Sequence, residues 1–268
     1  MSIDGDRRGT SVGKALSVLE TFGTHGNLLG VTEVASRTGV SKSSAHRLLS
    51  VLVEHGYVER QDGHYRLGRA VFTLGRTAQP DIVDELRAAA MPYLTSLYVS
   101  TGATVHLGVL DGDDVLYVEK VFGHGSVTVP SRVGARLPAL CTGLGKAMLA
   151  FSPPSVSVKA LERPVPQLTA RTVVAPARLT RSLDFARRTG VAVDNEGASL
   201  GARCVAAPIL RPGTREPAGA LSLTIPSSAT PSPGMVLELR RAATAIATGL
   251  SSGVGIGVGP GDEADVPA

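Results

Sequence analysis

The 268 residues contain no tryptophan, and phenylalanine and tyrosine contribute five each. Any large core must therefore be assembled from Val, Leu, Ile and Ala. Cysteine is nearly absent: Cys141 and Cys204 stand alone and far apart. This excludes a disulfide scaffold and a four-cysteine zinc site, and it fits a reducing, cytoplasmic compartment. No stretch approaches the ~20 consecutive apolar residues of a membrane span. The first thirty residues are interrupted by Asp4, Asp6, Arg7, Arg8, Lys14 and Glu20, which leaves no signal-peptide core. Catalytic signatures are scarce too. There is no His-Glu-x-x-His, and neither cysteine has the context of a cysteine hydrolase. Asp111-Gly112-Asp113-Asp114 lacks the later ligands of a calcium loop. The six histidines are scattered, and His106 and His124 read as strand or turn residues. The sequence thus gives no reason to expect a metal, a cofactor or an enzyme.

What is present is an ordinary globular composition, 43% apolar and 19% charged, with a net charge of +4. Of the 27 basic residues 22 are Arg. Arg suits phosphates and guanines, but the skew also fits plain codon bias. The length predicts about two domains.

Val12, Ala15, Leu16, Leu19 and Phe22 have the spacing of an amphipathic helix, closed by Gly23 and Gly26. Thr32 is expected to cap a second short helix with Glu33 in its first turn, and Gly39 to turn the chain. Ser41 then caps a third helix, with Ala45, Leu48, Leu49 and Leu52 inward. Gly56 ends it. Two β-prone runs, 57–60 and 64–67, flank Asp62-Gly63, a hairpin signal. Three helices and a hairpin in about 60 residues is the order of a winged helix-turn-helix.

Residues 69–79 read as a short helix or linker, and 81–98 as a helix limited or kinked by Pro92. Strands are expected at 103–110, 115–121, 126–130, 191–196, 204–210 and 218–225. Helices are expected at 142–151, 177–189 and 235–250, with loop and one turn of helix at 152–176. The second domain is therefore α+β.

Two constellations stand out. Lys42, Ser43, His46, Arg47 and Ser50 face away from the Leu48-Leu49 side of the third helix, where short donors and cations suit a major groove. The Gly-rich segment Thr142-Gly143-Leu144-Gly145-Lys146-Ala147 fails the phosphate-loop and dinucleotide patterns. It remains either a helix start offering backbone N–H groups to an anion or a start whose glycines serve packing alone. Ser222 and Thr224 alternate with Leu221, Leu223 and Ile225, so they share one sheet face, solvated or functional.

Ser41-Lys42-Ser43-Ser44-Ala45-His46-Arg47-Leu48-Leu49, His55-Gly56-Tyr57-Val58, Tyr65-Arg66-Leu67-Gly68, Thr142 to Ala147, Gly190 to Asp194 and Arg203 to Pro208 together resemble the IclR-type bacterial transcriptional regulators. The resemblance spans about residues 11–250. It implies an α+β chain with an N-terminal winged helix-turn-helix (11–68), a linker helix (69–80) and a C-terminal GAF-like effector-binding domain with a mainly antiparallel sheet (81–250). A flexible N-terminus (1–10) and a disordered tail (251–268) flank these. It implies double-stranded operator DNA as partner, a dimer or tetramer, and repression or activation of operons under a small carboxylic acid.

Carried over, the DNA side comprises Thr32, Ser41, Lys42, Ser43, Ser44, His46, Arg47, Arg60 and His64. On the effector side, the carboxylate should meet the backbone at Gly143 and Leu144, within the Gly143-Leu144-Gly145 loop. Polar contacts should come from Asp194, Cys204, Ser222 and Thr224, and an apolar wall from Val129, Leu137 and Ala202. Asp194 is expected to accept a hydrogen bond from a ligand hydroxyl and to repel a second anion. Two other readings stay open: an enzyme using Cys204, although no base stands beside it, and a DNA-binding protein whose second domain only oligomerises.

Overall fold

The computed structural model describes residues 10–25, 28–78, 81–123, 127 and 129–250. Residues 1–9 of the expected loose segment 1–10, Gly26, Pro80, His124 and the tail 251–268 lie outside the described residues.

The N-terminal half consists of α1 (Ser11–His25), α2 (Val31–Thr38), α3 (Lys42–Glu54) and the hairpin β1 (Val58–Gln61) and β2 (His64–Leu67). Ser41 caps α3, its hydroxyl accepting from the Ser44 N–H at 3.2 Å. Gly39 ends α2 in the left-handed region at φ 71°, a conformation glycine adopts without strain. Asp62 and Gly63, at φ 51° and 79°, form the hairpin turn. Val18, Phe22, Val34, Leu49, Val58 and Tyr65 bury one common core.

Three expectations need correction here. Thr32 does not cap α2; Gly30 occupies that position without a side-chain cap, and Thr32 lies exposed inside the first turn. The first helix runs through Gly23. Its inward face is also displaced: Val18 and Phe22 are buried, while Val12 and Leu16 are 70% and 54% exposed.

After α4 (Arg69–Ala78) comes α5 (Asp81–Thr101), which contains Pro92 without ending there. Proline forfeits one backbone donor but does not oblige the chain to leave the helix. The remaining elements are β3 (Thr104–Asp111), β4 (Asp114–Val121), β5 (Arg136–Pro138), α6 (Gly143–Phe151), α7 (Pro154–Glu162), α8 (Pro176–Thr189), β6 (Ala192–Asn195), β7 (Ala202–Leu210), β8 (Pro217–Pro226) and α9 (Pro233–Gly249). Two differ from expectation. The strand expected at 126–130 is not formed at Val127, Val129 or Pro130, and the edge strand is β5. The segment 152–176, expected as loop with one turn of helix, holds the nine-residue α7, whose start Pro154 occupies, where no backbone N–H is needed.

The strands form one antiparallel sheet in the order β5-β4-β3-β8-β7-β6. Side-chain alternation gives it two buried faces. Val105, Leu107, Val205, Leu221 and Leu223 pack against α5 and α9 through Leu86, Leu94, Leu239 and Ile246. Ala192, Ala206 and Ala220 on the opposite face pack against α6 and α8 through Leu144, Met148, Leu179 and Leu183. Small residues under α6 draw that helix close to the sheet. Directly opposed residues share a face, so Thr104, Thr224, Cys204 and Asp194 form one row on the α6 side. His106, Ser222, Ala206 and Ala192 form the next.

Candidate functional site

On α3, Ser41, Lys42, Ser43, His46, Arg47 and Ser50 are exposed. Among the described residues, Lys42, His46 and Arg47 have no ion pair and no side-chain hydrogen bond, so their donors are uncommitted. Ser41 and Ser44 are engaged with each other at 2.9 Å as well as in the cap. Arg60 and His64 are exposed on the hairpin, with His64 Nδ1 3.1 Å from the Asp62 carbonyl. Glu59 is neutralised across the hairpin by Arg66 at 2.7 Å, which leaves Arg60 without a competing carboxylate on that strand.

In the second half, a small cavity of about 40 Å³ opens between the α6 face of the sheet and the start of α6. Val129, Leu137, Gly143, Leu144, Asp194, Ala202, Cys204, Ser222 and Thr224 all line it. The structure thus brings together nine residues spread over 96 positions of sequence. It adds His106, Tyr117, Ser131 and Thr142, which sequence reasoning did not place there.

The start of α6 is built for close approach. A Cβ on Gly143 would come within 2.8 Å of Cys204 Sγ, so only glycine lets the loop reach β7. Thr142 caps the helix, its hydroxyl accepting from the Gly145 N–H at 3.0 Å, and its carbonyl accepts from Lys146 at 3.1 Å. Gly145 is therefore not available to a ligand, contrary to expectation. The Gly143 and Leu144 N–H groups have no acceptor among the described residues. They present the positive end of the helix dipole to the cavity.

Asp194 also departs from expectation. Its Oδ1 accepts from Lys146 Nζ at 2.6 Å, and its Oδ2 accepts from the N–H groups of Gly197 and Ala198 at 3.0 and 3.3 Å. Both side chains are buried, at 7% and 4% exposure. The carboxylate is neutralised and its lone pairs are largely used, so it is neither a free acceptor nor a net repulsive charge. The signal was legible: Lys146 is the one charged residue of α6, and a lysine in an apolar helix is buried only when paired.

Burial pushes the Cys204 thiol up to about 11, with Asp194 acting in the same sense. The nearby Ser222 and Thr224 hydroxyls oppose this, although Ser222 Oγ has no partner of hydrogen-bond geometry. Cys204 keeps part of its surface open to the cavity, yet as a thiol it is a weak nucleophile. Burial likewise raises Tyr117 and lifts Cys141 to about 11. His106 is held neutral, its value lowered to about 3 by burial and by the Lys120 charge. One motif escaped the sequence reading: Gly197-Ala198-Ser199-Leu200-Gly201 has the spacing of a hydrolase nucleophile elbow. It lies in the turn between β6 and β7, not at a strand-to-helix turn. The cavity histidine is bonded to Ser131 instead of Ser199. The chemistry this arrangement supports is binding.

Comparison with known proteins identifies the family. Residues 83–248 match the family described as bacterial transcriptional regulator IclR C-terminal, and residues 11–62 match the IclR helix-turn-helix domain. The HTH-type transcriptional regulator XynR of Escherichia coli is 35% identical over 202 residues, 74% of this chain and 79% of that protein. The glycerol operon regulatory protein of Streptomyces coelicolor is 37% identical over 216 residues, 80% and 84% respectively. A crystal structure of an IclR homolog complexed with 4-hydroxybenzoate, from Microbacterium hydrocarbonoxydans, superimposes with a TM-score of 0.78 at 29% identity, covering 91% of this chain and all of that one.

Proposed function

The chain belongs to the IclR family of bacterial transcriptional regulators, and on that footing we propose that it binds operator DNA as a symmetric homo-oligomer under the control of a small carboxylic acid. A DNA-binding helix-turn-helix half is joined to a ligand-binding C-terminal half, and its relatives are regulators, not enzymes. No helix among the described residues is long and apolar enough to cross a membrane.

The observation that carries the effector reading is the pair of N–H groups at Gly143 and Leu144, residues that start α6 and line a cavity whose one buried carboxylate is already neutralised. Such a site favours one anionic group. The 4-hydroxybenzoate held by the Microbacterium homolog is a ligand of that class. For DNA, the support is the exposed Lys42, His46 and Arg47 on α3. Exposed Val12 and Leu16 on α1 and Phe72 on α4 support oligomerisation, and two-fold symmetry lets two half-sites add their contacts.

The test has two arms. Thermal shift should give stabilisation of about 2.7 kcal/mol at 100 times the dissociation constant for 4-hydroxybenzoate and much less for 4-hydroxybenzamide; equal effects would remove the carboxylate anchor. An operator selected from random duplex DNA should lose about 1–3 kcal/mol of affinity with Arg47→Ala, more than random DNA loses. Unchanged binding of both would move the DNA surface elsewhere.

A further inference from the structure

The cavity measures about 40 Å³, room for about one water molecule, whereas small-molecule sites run to roughly 300–1,000 Å³. An organic acid enters only if a wall moves. Most walls are fixed. The strands carrying His106, Cys204 and Ser222 are each hydrogen-bonded to a neighbour on both sides, and α6 is buried from Gly143 to Ala150. The turn between β6 and β7, which contributes Ala198 and Ser199, is pinned from two directions. Thr169 and Thr172 donate to the carbonyls of Glu196 and Gly197 at 2.6 and 2.7 Å. Asp194 accepts from the N–H groups of Gly197 and Ala198.

The wall formed by Val129, Pro130 and Ser131 is different, because it belongs to neither strand nor helix. Among the described residues, its hydrogen bonds all end on Ser131, the one buried residue of the three. Ser131 Oγ lies 2.7 Å from Nε2 of His106, and the Ser131 carbonyl accepts from Lys120 Nζ at 2.8 Å. Lys120 and His106 are register partners on β4 and β3, so both bonds rise from one row of the sheet. Beyond Ser131 the chain is fixed again: the Gly134 N–H donates to the Tyr117 carbonyl at 2.8 Å, and the Tyr117 N–H donates to the Ala135 carbonyl at 3.0 Å. Gly134 itself turns at φ 82°, where glycine bends without strain. A segment held by so few contacts opens at lower cost than the packed elements around it.

We propose that residues 129–131 are a latched wall that opens to admit the effector, with Ser131 as the catch and His106 and Lys120 as its two holds. This rests on the reading of the cavity as the effector site and adds how that site is entered. The open form is the minor one, and the two bonds set its population. Weakening either bond raises entry and exit together. The same catch closes over a bound acid, so affinity changes far less than the rates.

Cys204 lines the cavity behind this wall, whereas Cys141 is buried outside it. In the full chain carrying Cys141→Ala, Cys204 is the one remaining thiol, and its alkylation by N-ethylmaleimide reports opening without any effector. Ser131→Ala and Lys120→Met should each speed alkylation by about tenfold, the factor of one net hydrogen bond. The rate should hardly depend on sub-denaturing urea, the mark of local opening instead of unfolding. In stopped flow with 4-hydroxybenzoate, Ser131→Ala should raise association and dissociation rate constants together by about tenfold and leave Kd within about threefold. Alkylation as slow as in the parent for both variants, or a rate that climbs steeply with urea, would overturn the latch. So would a Kd weakened about tenfold at an unchanged association rate, which would make Ser131 a ligand contact. Failure of the carboxylate anchor is separable: the acid and its amide then bind alike, or neither binds, while alkylation still responds to both substitutions.

Discussion

Acidification isolates the energetic role of His106. Its folded-state value is lowered from the ordinary 6.5 to about 3 by burial, with Lys120 adding to the effect and the Tyr117 ring packed edge-on at 5.4 Å. Above pH 6.5 the imidazole is neutral in both folded and unfolded chains and contributes no pH dependence. As the pH falls below 6.5, the unfolded chain takes up a proton that the folded chain refuses. Stability is then lost at up to about 1.4 kcal/mol per pH unit, until the folded group titrates near 3. At pH 5 the loss is about 2 kcal/mol. That figure depends only on the unfolded value, because the folded ring is still neutral there, so it does not rely on the exact depth of the depression. The assay is calorimetric unfolding of the C-terminal half in wild type and His106→Gln, at pH 7 and pH 5. Glutamine can still bond Ser131 but cannot titrate. All other carboxylates and histidines cancel in the difference, and the stability gap between the two proteins should move by about 2 kcal/mol in favour of the variant at pH 5. A gap that stays constant would show that His106 is accessible to protons in the folded state and would refute the reasoning.

Two further outcomes follow from the same cavity. Lys146→Met leaves Asp194 buried without its cation and should cost about 3–5 kcal/mol in chemical denaturation; adding Asp194→Asn should restore part of this, and a loss under about 1 kcal/mol for the single variant would mean that the pair is not desolvated. Gly145→Ala places a Cβ against the backbone of Ala139, so the turn before α6 must shift; melting should show a loss of about 1–3 kcal/mol together with weaker acid binding, and an unchanged melt would contradict the packing described.

Features set by a few neighbouring residues were legible in the sequence. The Ser41 cap, the Asp62-Gly63 turn and the left-handed Gly39 and Gly190 appear in the structure where the residue types alone demand them. Reading failed where a face had to be chosen. On α1 the spacing of Val12, Leu16 and Leu19 is as regular as that of Val18 and Phe22, and only the position of α2, α3 and the hairpin decides which stripe is covered. Thr32 failed for a related reason: glycine at position 30 supplies the extended backbone of a cap without a side chain to announce it.

The cavity divides along the same line. Its glycine loop and its polar β7 and β8 positions were legible through motif and alternation. The place of His106 was not, because its neighbours are fixed by sheet order, and although a lysine alone in the apolar α6 announced a buried partner, its identity as Asp194 was not legible. The order β5-β4-β3-β8-β7-β6 sets the first strands of the domain beside the last, bringing His106 against Ser222 across 116 positions of sequence. Asp194 shows why this matters for function. A carboxylate next to a ligand loop invites a role in recognition, yet a buried carboxylate must first be neutralised, and the cheapest partner is a lysine from the helix that carries the loop. Once Lys146 and two backbone donors have taken it, Asp194 holds the helix that carries Gly143 and Leu144, and recognition of an acid passes from the carboxylate to the backbone of that loop.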